Sequence, residues 1–135
     1  MSGPPLRILV IEDEALNRAL LRAVLGRARE PSIRDAEVFE AGSLAAAHVV
    51  LAAGPLDLVL LDVRLPDGSG LDLARRLAAM PIGERPKLVL MSASVLPAER
   101  AAAMAAGGDA FVGKPYHPTE LLRLLSQLVE GSSGL

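Results

Sequence analysis

Residues 58–70 read LVLLDVRLPDGSG, and this stretch decides the fold class. Its first four residues form a continuous apolar run, which is typical of a strand covered on both faces of a parallel sheet. Asp62 ends the run, and the proline and glycines that follow predict a loop over residues 65–70. In α/β sheets, functional side chains collect at the carboxyl ends of the strands. Asp62 is therefore the first candidate functional residue.

Strand-like and helical patterns alternate on both sides of this stretch. Short apolar runs predict strands at 8–11, 37–40, 58–61, 88–91 and 110–113. Apolar residues at helical spacing predict helices at 15–29, 43–53, 71–80, 98–106 and 119–129. We expect Ser43 to cap the second helix and Pro97 to begin the fourth. Five such units predict an α/β protein with a doubly wound, five-stranded parallel sheet.

The composition excludes several classes of protein. The chain has 135 residues, 51% of them hydrophobic, which suits one domain and excludes global disorder. It has no cysteine and two histidines, which excludes disulfides and thiol catalysis and argues against a multi-histidine metal centre. The net charge of −2 offers no basic excess for nucleic acid. The apolar runs are too short to span a bilayer and the start does not resemble a signal peptide, so we expect a cytoplasmic protein without a membrane partner. The richness in alanine, leucine and arginine is typical of a bacterial genome.

Four of the predicted strands end in residues that carry chemistry. The first strand ends at Glu12 and Asp13, the third at Asp62, the fourth at Ser92 and the fifth at Lys114. Clustered carboxylates repel one another, and a hard divalent cation such as Mg²⁺ relieves that repulsion. A carboxylate beside such a cation can attack phosphorus and form an aspartyl phosphate, while a lysine and a hydroxyl neutralise and orient the phosphoryl oxygens.

Four motifs together resemble the receiver domain of two-component response regulators, the CheY-like family. They are ILVIEDE (8–14), LVLLDVRLPDGSG (58–70), LVLMSAS (88–94) and FVGKP (111–115), in the order of the family. The resemblance implies a flavodoxin-like fold with strand order 2-1-3-4-5 over residues 6–130, with residues 1–5 and 131–135 as flexible termini. The interval from Asp13 to Asp62 is longer than the family's usual spacing, and we assign the excess to the loop at residues 29–32.

The resemblance also implies a phosphorylation site and its metal. Asp62 matches the residue that accepts a phosphoryl group from a histidine kinase or a histidine phosphotransfer protein. Asp13, Asp62 and the backbone carbonyl of Arg64 match the direct ligands of Mg²⁺, and Glu12 matches the neighbouring acid that usually acts through water. Glu14 has no counterpart with a role.

The signalling step is implied for three further positions. Ser92 and Lys114 are expected to bind phosphoryl oxygens, and Ser92 and Phe111 to form the switch. The bond before Pro115 is expected to be cis, as is typical of the family. No effector domain follows the fifth helix in this sequence, so we expect output through contacts of the fourth helix, fifth strand and fifth helix with a downstream protein, or in a homodimer. Whether the sequence is a fragment of a longer protein stays open.

Two other functions compete with this interpretation. A pseudo-receiver keeps the fold as an interaction module but lacks an acid or the lysine, and here all are present. A haloacid-dehalogenase-like phosphatase needs an Asp-x-Asp pair, and the position two after Asp62 is Arg64. The resemblance implies no enzyme acting on a separate substrate, only self-phosphotransfer and autodephosphorylation. Arg64 could either shield the phosphoryl group from water or pair with it. His48 and His117 are expected to be exposed and to bind no metal.

Overall fold

The computed structural model describes residues 5–94 and 96–133. Five parallel strands form its main sheet, and numbering only these strands gives β1 Arg7–Ile11, β2 Glu37–Ala41, β3 Leu58–Asp62, β4 Lys87–Ser92 and β5 Ala110–Gly113. Their order across the sheet is β2-β1-β3-β4-β5, and every neighbouring pair is parallel. The predicted fold class and strand order are confirmed.

Among the described residues, five helices of nine residues or more connect and flank the strands. They are α1 Ala15–Leu25, α2 Leu44–Ala53, α3 Gly70–Ala78, α4 Pro97–Ala105 and α5 Pro118–Ser133. The side-chain oxygen of Ser43 accepts the N–H of Ala46 at 3.1 Å, which confirms the predicted cap of α2. Pro97 is the first residue of α4, also as predicted. Among the described residues, no helix is both long enough and apolar enough to cross a membrane.

Two apolar layers cover the sheet. On one face, alternate strand residues such as Leu9 and Leu61 pack in a cluster with α2, α3 and α4. On the other face, residues such as Val10 and Leu60 pack with α1 and α5. All five residues of β3 are buried, as its continuous apolar run predicts. Because full burial of one aliphatic side chain contributes about 1.5–3 kcal/mol, β3 is a major source of stability and a rigid support for Asp62.

The segment between α1 and β2 differs from the prediction. Helix α1 ends at Leu25 rather than at residue 29, because Gly26 is a poor helix former. After it, the backbone hydrogen bonds span three residues instead of four, as in the bond from Arg27 N–H to Val24 O at 3.0 Å. A one-turn helix, Pro31–Arg34, follows and buries Ile33 completely. The segment to which we assign the extra residues between Asp13 and Asp62 thus contains a short helix rather than a plain loop.

The predicted loop at 65–70 contains a small antiparallel ribbon in which Arg64–Leu65 pairs with Gly68–Ser69. The Asp67 carboxylate at its turn accepts the backbone N–H groups of Leu44 at 2.8 Å and Ala45 at 3.0 Å. This contact ties the ribbon after β3 to the start of α2.

Two further helices end at least two residues from the predicted position. Helix α3 ends at Ala78, two residues before Met80, and Pro81 restricts the residue before it to non-helical backbone. Helix α5 continues past Val129 to Ser133, because no proline interrupts residues 130–133 and one glycine costs a helix only about 1 kcal/mol. The helix therefore enters the stretch expected to be a flexible tail. Residues 1–4 and 134–135, also expected to be flexible, lie outside the described residues.

Candidate functional site

Two acids and a lysine from three strand ends meet at the carboxyl edge of the sheet. Glu12 follows β1, Asp62 ends β3 and Lys114 follows β5. The Lys114 Nζ lies 2.6 Å from Glu12 Oε2 and 2.7 Å from Asp62 Oδ2. Glu12 is 2% exposed and Asp62 is 8% exposed, so the lysine neutralises charge that would otherwise be buried without a partner. The structure brings these predicted residues together as their positions after parallel strands require.

Asp13 completes an acidic cluster that could hold a divalent cation. Single carboxylate oxygens of Glu12, Asp13 and Asp62 lie within 4.8 Å of one another. Asp13 is exposed, and in the described part of the chain no protein group donates a hydrogen bond to its carboxylate. Hard oxygen donors with one side open to solvent fit Mg²⁺, which keeps several of its waters.

The Glu12 carboxylate is held by protein donors. Its Oε2 accepts from Lys114, and its Oε1 accepts the side-chain amide of Asn17 at 3.2 Å and the N–H of Glu14 at 3.4 Å. A carboxylate that is already bound in this way is a poorer direct ligand than the open carboxylate of Asp13. This supports the prediction that Glu12 acts on a metal through water.

Arg64 contributes its main-chain N–H to the site, and its side chain lies near Glu99. Its N–H donates to Asp62 Oδ1 at 3.0 Å, within the ribbon that follows β3. Its guanidinium is largely exposed and lies 4.0 Å from a carboxylate oxygen of Glu99 on α4. The predicted metal-ligand role of the Arg64 carbonyl stays a prediction.

Ser92 lies on β4, the neighbour of β3, and Phe111 lies on β5, the next strand across the sheet. Ser92 ends β4, is 3% exposed, and its Oγ accepts the N–H of Ser94 at 3.1 Å. Phe111 is half-buried on β5, and Arg100 Cζ lies 5.9 Å from its ring centroid. A cavity of about 510 Å³ is lined by both Ser92 and Phe111, together with residues of the ribbon and α4. The predicted cis bond between Lys114 and Pro115 is present.

The three bonded side chains shift one another's pKa values. Burial would raise the pKa of Glu12, but hydrogen bonding to Asp62, Lys114 and Asn17 outweighs it and lowers the pKa from 4.5 to about 2. Burial raises the pKa of Asp62, and the Glu12 carboxyl adds to the rise, against the opposing Lys114 and Arg64 N–H. Burial would lower the pKa of Lys114, but its bonds to Asp62 and Glu12 raise it. Lys114 and Glu12 therefore form a stable ion pair, and the negative charge that remains on the acidic cluster attracts a cation.

The depressed pKa of Glu12 predicts a specific acid sensitivity in metal-free buffer. An acid whose pKa falls on folding stabilises the protein above its unfolded value and loses that contribution as the pH falls through the folded value. For Glu12 the window runs from pH 4.5 down to about 2. We expect the free energy of unfolding of Glu12→Gln to fall less than that of the unsubstituted protein between these limits. Urea unfolding at both pH values measures this, and parallel losses in the two proteins would contradict it.

Sequence reasoning missed two residues at the start of α1. Asn17 bonds Glu12 as described, and the Arg18 guanidinium donates to the backbone carbonyl of Glu12 at 2.6 Å. Helical spacing alone places them one turn beyond the acids, but which side of the helix faces the site follows from packing. By contrast, His48 and His117 are exposed, as predicted.

Solved structures define the class of fold. A two-component response regulator from Clostridium difficile superposes with a TM-score of 0.84 at 19% identity, covering 96% of this chain and 99% of that one. The receiver domain of a response regulator from Colwellia psychrerythraea 34H gives 0.83 at 24% identity, covering 93% and 98%. At such identities the likeness shows the fold alone, a CheY-like α/β sheet.

The family model described as "Response regulator receiver domain" matches residues 8–126, and the chain therefore belongs to this family of two-component signalling domains. The two-component response regulator ORR41 of rice is 35% identical over 127 residues, which cover 94% of this chain and 97% of the relative. The aerobic respiration control sensor protein ArcB of Escherichia coli K12 is 34% identical over 128 residues, which cover 94% of this chain but 16% of that protein. The chain is thus similar to nearly all of one relative and to a small part of the other.

Proposed function

We propose that this receiver domain accepts a phosphoryl group on Asp62 from a histidine kinase or a histidine phosphotransfer protein, in the presence of Mg²⁺. The observation that carries the proposal is the convergence of Asp62, Lys114 and the open acid Asp13 at one edge of the sheet. In the transfer, an Asp62 oxygen bonds to phosphorus while the bond from phosphorus to the donor's imidazole nitrogen breaks. The electron pair of that bond stays on the imidazole. Later attack by water would release phosphate and restore the carboxylate.

The residues around Asp62 suit each requirement of this transfer. The N–H of Arg64 bonds one Asp62 oxygen and orients the carboxylate. The Lys114 ammonium, 2.7 Å from the other oxygen, can bond an incoming phosphoryl oxygen. The Ser92 Oγ accepts the N–H of Ser94, so its own O–H remains available to donate to a phosphoryl oxygen. A bound Mg²⁺ would supply further neutralisation of the phosphoryl charge.

The direct experiment uses a small phosphodonor instead of the unidentified kinase. Incubation with acetyl phosphate and MgCl₂ is expected to add one phosphoryl group, seen in the intact mass, and EDTA is expected to prevent it. Absence of an adduct with both acetyl phosphate and phosphoramidate would favour the pseudo-receiver instead.

A kinase that draws on ATP also implies that the protein acts in the cytoplasm.

The two acids after β1 predict unequal effects on metal binding. Asp13→Asn and Glu12→Gln each remove one negative charge, so a purely electrostatic site would lose affinity equally. Because Asp13 is open and Glu12 is held by protein donors, we expect Glu12→Gln to weaken Mg²⁺ binding on the order of ten-fold and Asp13→Asn to weaken it more. Calorimetric titration with MgCl₂ measures both, and equal or reversed losses would contradict the assignment.

The output surface we propose is formed by α4, β5 and α5, where a downstream protein or a second copy would bind. Leu96 before α4 is 62% exposed and Met104 on α4 is 42% exposed, which gives this face an apolar character. A groove of about 280 Å³ beside β5 is lined by Phe111, Tyr116 and Leu124, among others. Phe111 borders both this groove and the cavity at Ser92, so it connects the acceptor site to the proposed output surface.

The position of Phe111 predicts a switch with both states populated. Drawing Ser92 toward a phosphorylated Asp62 frees space that the Phe111 ring can fill. Burying on the order of 50 Å² of apolar surface is worth about 1 kcal/mol, which shifts a two-state equilibrium only several-fold. We therefore expect the ring to lie inward in a sizeable fraction of unmodified molecules. With two phenylalanines in the chain, ring signals in NMR spectra with and without beryllofluoride can report this, and an outward ring in both states would refute it.

A further inference from the structure

Arg18 in the first turn of α1 binds the main chain of both acidic residues after β1. Its Nη1 donates to the backbone carbonyl of Glu12 at 2.6 Å and to that of Asp13 at 3.3 Å. The segment between β1 and α1 is only three residues long, so these two bonds constrain most of it. The interaction acts on the backbone and leaves the Asp13 carboxylate free.

A residue of strand β2 binds the Arg18 guanidinium from the other side. The Arg18 Nε donates to Glu40 Oε1 at 3.2 Å, and the Arg18 side chain is 20% exposed. A Cβ at Gly42 would lie 3.1 Å from Nη1, so the glycine after β2 leaves the room that the guanidinium occupies. The place of Arg18 is therefore set by contacts with β2 and with the segment after β1, and not by its own helix alone.

We propose that Arg18 is a positioning residue for the divalent-cation site, an inference that rests on the Mg²⁺ binding in the proposed function. By fixing the backbone of Glu12 and Asp13, it presents the open Asp13 carboxylate toward Asp62 before a cation arrives. Preorganisation of this kind strengthens binding because less conformational freedom is lost when the ligand binds. The guanidinium itself does not touch the cation.

A positioning role and a purely electrostatic role of Arg18 predict opposite changes in Mg²⁺ affinity when the arginine is replaced. Removing a positive charge near a cation site would by itself tighten the binding of a cation. Loss of positioning weakens it. We expect Arg18→Gln to weaken Mg²⁺ binding on the order of ten-fold, in spite of the favourable change in charge.

Arg22 provides a matched control on the same helix. It also pairs with Glu40, at 3.0 Å, and donates to the carbonyl of Val38 at 3.0 Å, but it makes no bond to Glu12 or Asp13. Arg22→Gln is expected to cost similar thermal stability while leaving Mg²⁺ affinity within about two-fold. Arg18→Lys keeps a cationic hydrogen-bond donor for the backbone carbonyls but loses the planar fork that binds both, so it is expected to weaken binding less than Arg18→Gln.

The experiment titrates all four proteins with MgCl₂ by calorimetry and follows their thermal unfolding with and without MgCl₂. Unchanged or tighter binding in Arg18→Gln, or equal weakening in Arg22→Gln, would overturn the inference. If Arg18→Gln does not fold, the comparison of Arg18→Lys with Arg22→Lys decides in the same way. If the unsubstituted protein binds no Mg²⁺, the proposed metal site fails and this inference with it. If the unsubstituted protein binds Mg²⁺ and accepts a phosphoryl group, while Arg18→Gln binds Mg²⁺ equally well, the inference alone fails.

Discussion

Asp62→Asn is expected to abolish the phosphoryl adduct that acetyl phosphate and MgCl₂ form on the unsubstituted protein. Asparagine keeps the size of the side chain and can still accept the N–H of Arg64 at 3.0 Å. Its amide is not a nucleophile toward phosphorus, so the covalent step has no acceptor. In the acidic cluster, Glu12 is bound by Lys114, Asn17 and the N–H of Glu14, whereas Asp62 is bound by Lys114 and the N–H of Arg64. Intact mass after a fixed incubation measures the effect.

The control for this loss is an aspartate outside the cluster. Asp72 lies exposed on α3 and pairs with Arg75 at 2.9 Å, so Asp72→Asn is expected to form the full adduct. Asp13→Asn is expected to slow adduct formation rather than abolish it, because it alters the metal site and keeps the nucleophile. A full adduct on Asp62→Asn would show that another residue accepts the phosphoryl group and would overturn the assignment of Asp62.

The buried strands could be predicted from the sequence because each depends on a local pattern, whereas the strand order followed from the resemblance to receiver domains. The apolar run at 58–61 can be satisfied only with cover on both faces, and β3 is buried throughout. The helix Pro31–Arg34 could not be predicted, because its stability depends on burying Ile33 in the core below α1 and α5. The ribbon after β3 was missed for a similar reason, since Asp67 holds it through bonds to α2.

The members of the site could be predicted because parallel strands bring their carboxyl ends to one edge. Sequence alone did not show that Glu12 is buried and bound while the adjacent Asp13 is open, because that difference follows from the direction of the chain after Ile11. The contacts of Arg18 escaped prediction because they depend on Glu40, which is 22 residues away on β2. Gly70 was likewise not singled out, although a Cβ there would collide with the carbonyl oxygen of Asp62.

Lys114→Ala is expected to change stability, metal binding and signalling together. In metal-free buffer the substitution leaves the nearly buried Glu12 and Asp62 without the lysine ammonium. Breaking a buried ion pair in this way costs about 3–5 kcal/mol of stability. The cost is expected to be smaller here because the lysine side chain is 22% exposed. Mg²⁺ then has no competing ammonium, so we expect tighter Mg²⁺ binding and a larger rise of the melting temperature on adding MgCl₂. Thermal unfolding with and without MgCl₂ measures both effects.

The same variant tests whether Lys114 transmits the signal. Asp62 and the metal site remain, so we expect Lys114→Ala to form some adduct with acetyl phosphate. Without the ammonium, the phosphoryl group loses its bond to the segment after β5, whose backbone N–H at Lys114 binds the Ser92 carbonyl at 2.8 Å. Amide NMR shifts in α4 and β5 on phosphorylation are therefore expected to shrink, while the control Lys87→Ala, at the opposite end of β4, keeps them. Full-size shifts in Lys114→Ala would mean that the signal passes through Ser92 and Phe111 without the lysine.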